Sequence, residues 1–160
     1  ALLTLAFAAA CTLAAPALAA EPVCPSGGSP GTITITEKLL DPQLALQSAV
    51  VKAAQRCVLT KAAEDDGWKV NLVAHLSRKA DTAEVNIVFY DPAAAAKPGE
   101  PRRPVQAYPT TTKKGATIML ASVEIKPEDG FKAGVKYNVL ITRLVNGRED
   151  VYAKTTLELK

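Results

Sequence analysis

The sequence predicts a mainly β protein: a single antiparallel β-sandwich of about seven strands, with one helix near its start. From Trp68 to the end of the 160-residue chain, apolar residues recur with a period of two, which is typical of half-buried strands. The segments with this pattern are short and evenly spaced between turn residues, which favours a sandwich. We expect one domain over residues 32–160, because a chain of that length can bury a substantial core.

The predicted strands cover residues 32–36, 68–77, 83–91, 105–109, 116–125, 135–145 and 150–159. In 68–77 the even positions are apolar, which places His75 on the opposite face, where we expect it to be exposed. Residues 116–125 are apolar on both faces, as in a covered central strand. Four prolines between Asp91 and Pro104 indicate a long exposed connection.

The segment that follows the first strand predicts a helix near 42–55. Asp41 is a favoured N-cap residue, and Pro42 is favoured at the first helical position. Leu44, Ser48 and Val51 then lie near one face at helical spacing.

The first twenty residues indicate export. They carry no Asp, Glu, Lys or Arg, and they end in Ala17-Leu18-Ala19-Ala20, the small-residue spacing that signal peptidase cleaves. We expect 1–20 to be part of a signal peptide and 21–31, rich in Pro and Gly, to be a tether. The protein would then be periplasmic, in the cell envelope or secreted, without a transmembrane span after processing. A lipoprotein anchored at Cys11 is the alternative.

Two cysteines, Cys24 and Cys57, follow the predicted signal peptide. An even pair in an exported chain predicts one disulfide, with two free buried thiols as the alternative.

The stretch "FKAGVKYNVLI" from Phe131 to Ile141 contains an ordered set of residues. These are Phe131, Gly134, Tyr137, Val139 and Ile141. The stretch resembles the corner that leads into strand F of immunoglobulin-like and fibronectin type III domains. The resemblance implies a structural tyrosine corner at Phe131, Gly134 and Tyr137, in which the hydroxyl bonds back to the upstream backbone. Ala133 departs from the proline that is common in fibronectin type III domains.

The sequence contains no nucleophile elbow, P-loop, dinucleotide-binding glycine motif or H-E-x-x-H. The chain has one His, a mild net charge of +3 and only 5% aromatic residues, so nothing indicates nucleic-acid binding. We expect a non-enzymatic binding or envelope-structural module of unknown ligand, without a cofactor. The alternative is a secreted enzyme or enzyme inhibitor whose loop-borne site carries no recognisable motif.

Charged loops are predicted at both ends of the sandwich. One end would bind anions, such as an anionic envelope component or an acidic protein, through Arg78, Lys79, Lys113, Lys114 and Arg148. The other end carries carboxylates that could bind calcium, although none has EF-hand spacing: Glu64, Asp65, Asp66, Glu128 and Asp129.

The last two strands pose a register problem. Asn146-Gly147 favours a two-residue turn, which sets Val145 opposite Arg148. The apolar face of the last strand, however, lies at odd positions such as Val151 and Leu157, and cross-strand partners share a face. We therefore expect an odd-numbered loop or a bulge around residues 146–150.

Overall fold

A computed structural model describes residues 24–25, 27–62, 64–94 and 103–160. The predicted signal peptide, the alternative anchor Cys11 and the start of the predicted tether lie outside these residues. Within these ranges, no helix is long and apolar enough to cross a membrane.

Strands dominate the described part of the chain. Nine are present there: β1 (Thr32–Thr36), β2 (Gln55–Arg56), β3 (Val58–Leu59), β4 (Trp68–His75), β5 (Glu84–Tyr90), β6 (Gln106–Thr111), β7 (Ile118–Ile125), β8 (Lys136–Val145) and β9 (Arg148–Leu159). The helices are short: α1 (Pro42–Ala45), α2 (Ser48–Ala53) and a 3-10 helix at Pro127–Asp129.

The strands form one mixed sheet. Its order is β6-β5-β8-β9-β1-β4-β7, with β2 beside β1 and β3 beside β9. The pairs β1–β9 and β3–β9 are parallel, and the others are antiparallel. The prediction of a mainly β protein is confirmed, whereas the prediction of a purely antiparallel sandwich of about seven strands is wrong. The short parallel contacts of β9 join the two halves of the structure into one ladder.

The core lies between the two halves of this ladder, β1-β4-β7 and β6-β5-β8-β9. Ile35 and Leu72 from the first half and Phe89 and Ile141 from the second belong to one buried cluster. Because residues from both halves meet there, the sheet folds over on itself and leaves two outer faces.

The predicted helix at 42–55 is wrong, since two short helices and β2 occupy that segment. Its start is as expected, because the Asp41 side chain accepts a hydrogen bond from the Gln43 backbone N–H at 2.8 Å. Ala45 and Val51 both pack on Val73 of β4. In a continuous helix, residues six apart point about 120° away from each other. The extended conformation at Gln47 breaks the helix and lets both residues face the sheet.

These two helices cover the outer face of β4 and β7. His75, which we expected to be exposed, is only 9% accessible, and burial lowers the pKa of its imidazole. The predicted central strand, β7, is the last strand of the ladder. It is apolar on both faces because Ile118 and Leu120 on its outer side pack against the helices.

The segment before β8 forms a corner around a buried tyrosine. The Tyr137 hydroxyl accepts a hydrogen bond from the Lys132 backbone N–H at 2.8 Å. Gly134 has a φ of 80°, a conformation that favours glycine. Phe131 packs edge-on against Tyr137, with ring centroids 5.2 Å apart.

Replacing Tyr137 by phenylalanine is expected to lower the free energy of unfolding by about 1–2 kcal/mol, because the Lys132 N–H loses its partner. Urea denaturation measures this. The control is Tyr90→Phe, whose lost hydrogen bond is exposed and should cost about 0.5 kcal/mol. Equal losses in the two variants would contradict the structural role of the corner.

In the β8–β9 hairpin, the change of register lies in the strands and not in the turn. Val145 lies opposite Arg148, so the turn has two residues, and the expected odd loop or bulge at 146–150 is wrong. The register shifts instead where Ile141 pairs with Ala153 and Thr142 pairs with Val151. Tyr152 is the extra residue of this bulge.

Candidate functional site

A groove lies on the outer face of β6-β5-β8-β9 and is called the outer groove below. It encloses about 1220 Å³. Its floor includes Val88 of β5, Ala107 of β6 and Leu140 of β8. Strands place alternate residues on opposite faces, so these outward positions sit back to back with core residues such as Ile87 and Phe89.

The tip of the β8–β9 hairpin forms one wall of the outer groove. Glu149 pairs with Leu144 of β8, whereas Tyr90 pairs with Asn138 of β8. These two positions of β8 are six residues apart. In a straight strand this offset spans about 20 Å. Yet the Tyr90 hydroxyl donates a hydrogen bond to Glu149 Oε2 at 2.6 Å. The hairpin must therefore bend over the face of the sheet, as strands do at a bulge.

The bulge at Tyr152 also decides which residues of β9 face the groove. Below the bulge, the even positions Lys154 and Thr156 line it, with the mostly buried Thr155 between them, and above the bulge the odd position Glu149 does. Tyr152, expected to face outward from simple alternation, is fully buried. Without the extra residue, Glu149 would point toward the core and could not reach Tyr90.

The polar groups of the outer groove are few. Of the described residues that line it, only Glu149 and Lys154 carry a charge at neutral pH. Burial, followed by the hydrogen bond to Glu149, raises the pKa of Tyr90, so its phenol stays protonated. Asn86 and Asn138 add uncharged amide groups on either side of the apolar floor.

The N-terminal segment forms another edge of the groove through Pro25 and Gly31. The predicted disulfide between Cys24 and Cys57 is present and ties this segment to the domain. Gly31 is also held by β9, because its carbonyl accepts a hydrogen bond from the Lys154 N–H at 3.0 Å.

The loops of the predicted anion-binding end lie together. The loop that carries Lys79 bonds to the loop that carries Lys113 and Lys114, since the Gly115 N–H donates to the Ala80 carbonyl at 2.7 Å. Arg148 lies on the hairpin, at the start of β9. In the described ranges, no acidic group lies within ion-pair distance of these lysines or of Arg148. Anion binding there stays a prediction.

Arg78 differs from the other cations of that end, because it is paired. It forms an ion pair with Asp150, which also accepts a hydrogen bond from Arg143 Nε at 2.9 Å. Arg143 reaches Asp81 as well, and the Tyr152 hydroxyl donates to Asp81. The hydrogen bonds from Arg78 and Arg143 hold the pKa of Asp150 below its usual range. This network fastens the hairpin to the loop after β4.

The carboxylates that were predicted as possible calcium ligands do not form a cluster that could bind a metal ion. Among the described residues, no group of three or more His, Cys, Asp or Glu could hold a metal ion. Glu64, Asp65 and Asp66 precede β4, while Glu128 and Asp129 lie in the 3-10 helix. Asp129 accepts hydrogen bonds from the Tyr108 hydroxyl at 3.2 Å and from the Lys126 N–H at 3.3 Å.

The strand pairings define the class of fold. The groups β1-β4-β7 and β6-β5-β8-β9 correspond to the A-B-E and C′-C-F-G groups of immunoglobulin-like domains. Together with the corner at Tyr137, these pairings confirm the resemblance predicted from residues 131–141.

Comparisons with known proteins give one structural similarity. No protein family matches the chain, and no curated protein matches it. The chain is similar to the crystal structure of an immunoglobulin-like protein from Pseudomonas aeruginosa, with a TM-score of 0.40 and 13% sequence identity. The similarity covers 89% of this chain and 100% of that one.

Proposed function

We propose that the protein is an exported, non-enzymatic binding protein and that the outer groove is its binding site. The observation that carries the proposal is an apolar floor, formed by Val88, Ala107 and Leu140, beneath a bent hairpin. Ligand sites are concave and mostly apolar, and they commonly enclose about 300–1,000 Å³. The outer groove, at about 1220 Å³, is large enough for a small ligand.

The lining of the groove supports binding rather than catalysis. The carboxylate of Glu149 already accepts a hydrogen bond from Tyr90, and His75 is buried on β4, in the other half of the ladder. A catalytic site needs a nucleophile or an acid–base pair directed at the ligand. The described lining residues do not supply such a pair.

Export is proposed on the basis of the charge-free residues 1–20 and the disulfide. Disulfides persist in oxidising compartments such as the periplasm and the extracellular space. The Cys24–Cys57 bond also holds Pro25 beside the groove, so the oxidised protein is the form expected to bind.

The binding proposal is tested with the neutral dye N-phenyl-1-naphthylamine, whose fluorescence rises in apolar sites. We expect the oxidised protein to bind the dye and Leu140→Asp to weaken binding at least about tenfold, because a carboxylate would stand on the apolar floor. Leu144→Asp should also weaken binding. It alters the hairpin wall at a side chain that is 66% exposed, so it should leave the fold intact.

The matched control is Leu46→Asp, the same change at a residue that is 62% exposed on the helical side of the domain. It should bind the dye like the wild type. Unchanged dye binding in folded Leu140→Asp and Leu144→Asp variants would overturn the proposed site, as would absence of binding by the wild type.

A further inference from the structure

The outer groove carries one cation that has no acidic partner. Lys154 is exposed on β9 and pairs across the ladder with Leu140, so both side chains leave the same face of the sheet. In the described ranges, no carboxylate lies within ion-pair distance of its ammonium group. A free positive charge therefore stands beside the apolar floor.

The carboxylate among the described lining residues, Glu149, is placed differently. Glu149 lies on the hairpin side of the bulge, and its oxygen accepts the hydrogen bond from Tyr90. The phenol donates to one oxygen only, so Glu149 keeps its negative charge. This charge lies on the hairpin side of the bulge, whereas Lys154 lies opposite Leu140 of the apolar floor. Among the described residues, the lining thus combines an apolar surface with one cation that has no acidic partner.

We infer that the groove takes an anionic amphiphile: a molecule with an apolar chain and one carboxylate head group. This inference rests on the function proposed above and names the ligand class for the same site. The chain would lie on Val88, Ala107 and Leu140, where burial of apolar area drives binding. The carboxylate would accept hydrogen bonds from the Lys154 ammonium. The Asn86 and Asn138 amides are neutral and would tolerate either charge.

The two alternative ligand classes would interact differently with the charged residues of the groove. A cationic amphiphile would be repelled by Lys154 and would have to place its head group beside Glu149, on the hairpin side of the bulge. A neutral apolar molecule would leave Lys154 without a partner and would show no preference between head groups. Head-group charge is therefore the property that distinguishes these ligands at constant chain length.

The experiment compares laurate with dodecyltrimethylammonium, which have the same chain length and opposite charge. Each is used to displace N-phenyl-1-naphthylamine from the oxidised protein, below its micelle concentration. We expect laurate to displace the dye at an about fivefold lower concentration, the size of effect that one partly exposed charge pair produces. Added salt should reduce the difference.

Charge reversal at one residue completes the test. Lys154→Glu should reverse the preference, so that dodecyltrimethylammonium displaces the dye at the lower concentration. Lys69→Glu, the same change at an exposed position of β4 in the other half of the ladder, is the control and should keep the preference for laurate.

The outcomes separate this inference from the function on which it rests. Equal displacement by the two amphiphiles, or a preference unchanged in Lys154→Glu, would overturn the ligand class. Dye binding that depends on Leu140 would then still support the groove. If the wild type binds neither the dye nor either amphiphile, the inference and the proposed function both fail.

Discussion

Replacing Phe131 by alanine is expected to lower the free energy of unfolding by about 3–5 kcal/mol, the usual cost of removing a large buried aromatic side chain. Phe131 is 1% exposed, and its ring contacts two others edge-on. Its centroid lies 5.2 Å from that of Phe89 and 5.2 Å from that of Tyr137. The substitution would leave a cavity between β5 and β8 and would also remove the support of the tyrosine corner.

Urea denaturation followed by tryptophan fluorescence measures this loss, since Trp68 is buried in the same core cluster. Phe131→Leu is the matched variant, because it keeps most of the volume and should cost about 1–2 kcal/mol. If alanine and leucine cost the same, or if alanine costs less than about 1 kcal/mol, the packing described around Phe131 is wrong.

Removing the disulfide by changing Cys24 and Cys57 to serine is expected to cost about 3–4 kcal/mol. The two residues are 33 positions apart, and the bond reduces the entropy of the unfolded chain by closing that loop. In the folded state the loop is also held by hydrogen bonds, including the one from the Gly27 N–H to Gln55 Oε1 at 3.3 Å. These bonds cannot offset the entropy that the unfolded chain regains.

Denaturation of the oxidised protein and of the double serine variant gives the difference in stability. The control is the wild type denatured in the presence of reductant, which breaks the same bond and should show the same loss of stability. The double variant should also bind N-phenyl-1-naphthylamine more weakly, because Pro25 lines the groove. Alkylation of Cys24 and Cys57 by iodoacetamide without reductant would contradict the bond itself.

Alternation along the chain was sufficient to predict most of the strands, but not the faces they bury. In β4 the inner positions Trp68, Val70 and Leu72 are buried as expected. The outer position Val73 is buried as well, because α1 and α2 pack on it. Asn71 is also buried, and its side-chain amide donates a hydrogen bond to the Glu37 carbonyl at 2.9 Å. Periodicity within one strand carries no information about what covers its second face. The break at Gln47 was missed for a related reason, since it depends on the contacts of Ala45 and Val51 with the sheet.

The candidate site could not be predicted, because it arises from the bulge in β9. The conflict between the Asn146-Gly147 turn and the odd apolar positions showed that a register shift was needed. It did not show that Tyr152 would be the extra residue. The ion pair between Arg78 and Asp150 likewise depends on where the hairpin meets the loop after β4. The disulfide was predictable because it follows from the number of cysteines and from the predicted export of the protein. It does not depend on the register of the strands.

Binding at the outer groove is tested most directly by nuclear magnetic resonance of the isotope-labelled, oxidised protein titrated with N-phenyl-1-naphthylamine. We expect the largest amide shift changes on the groove floor and its wall, at residues such as Val88, Leu140 and Thr156. The competing surface is the exposed apolar patch on the helical side, formed by Leu39, Leu44 and Leu46. Shift changes confined to that patch, with Val88 and Leu140 unaffected, would contradict the account.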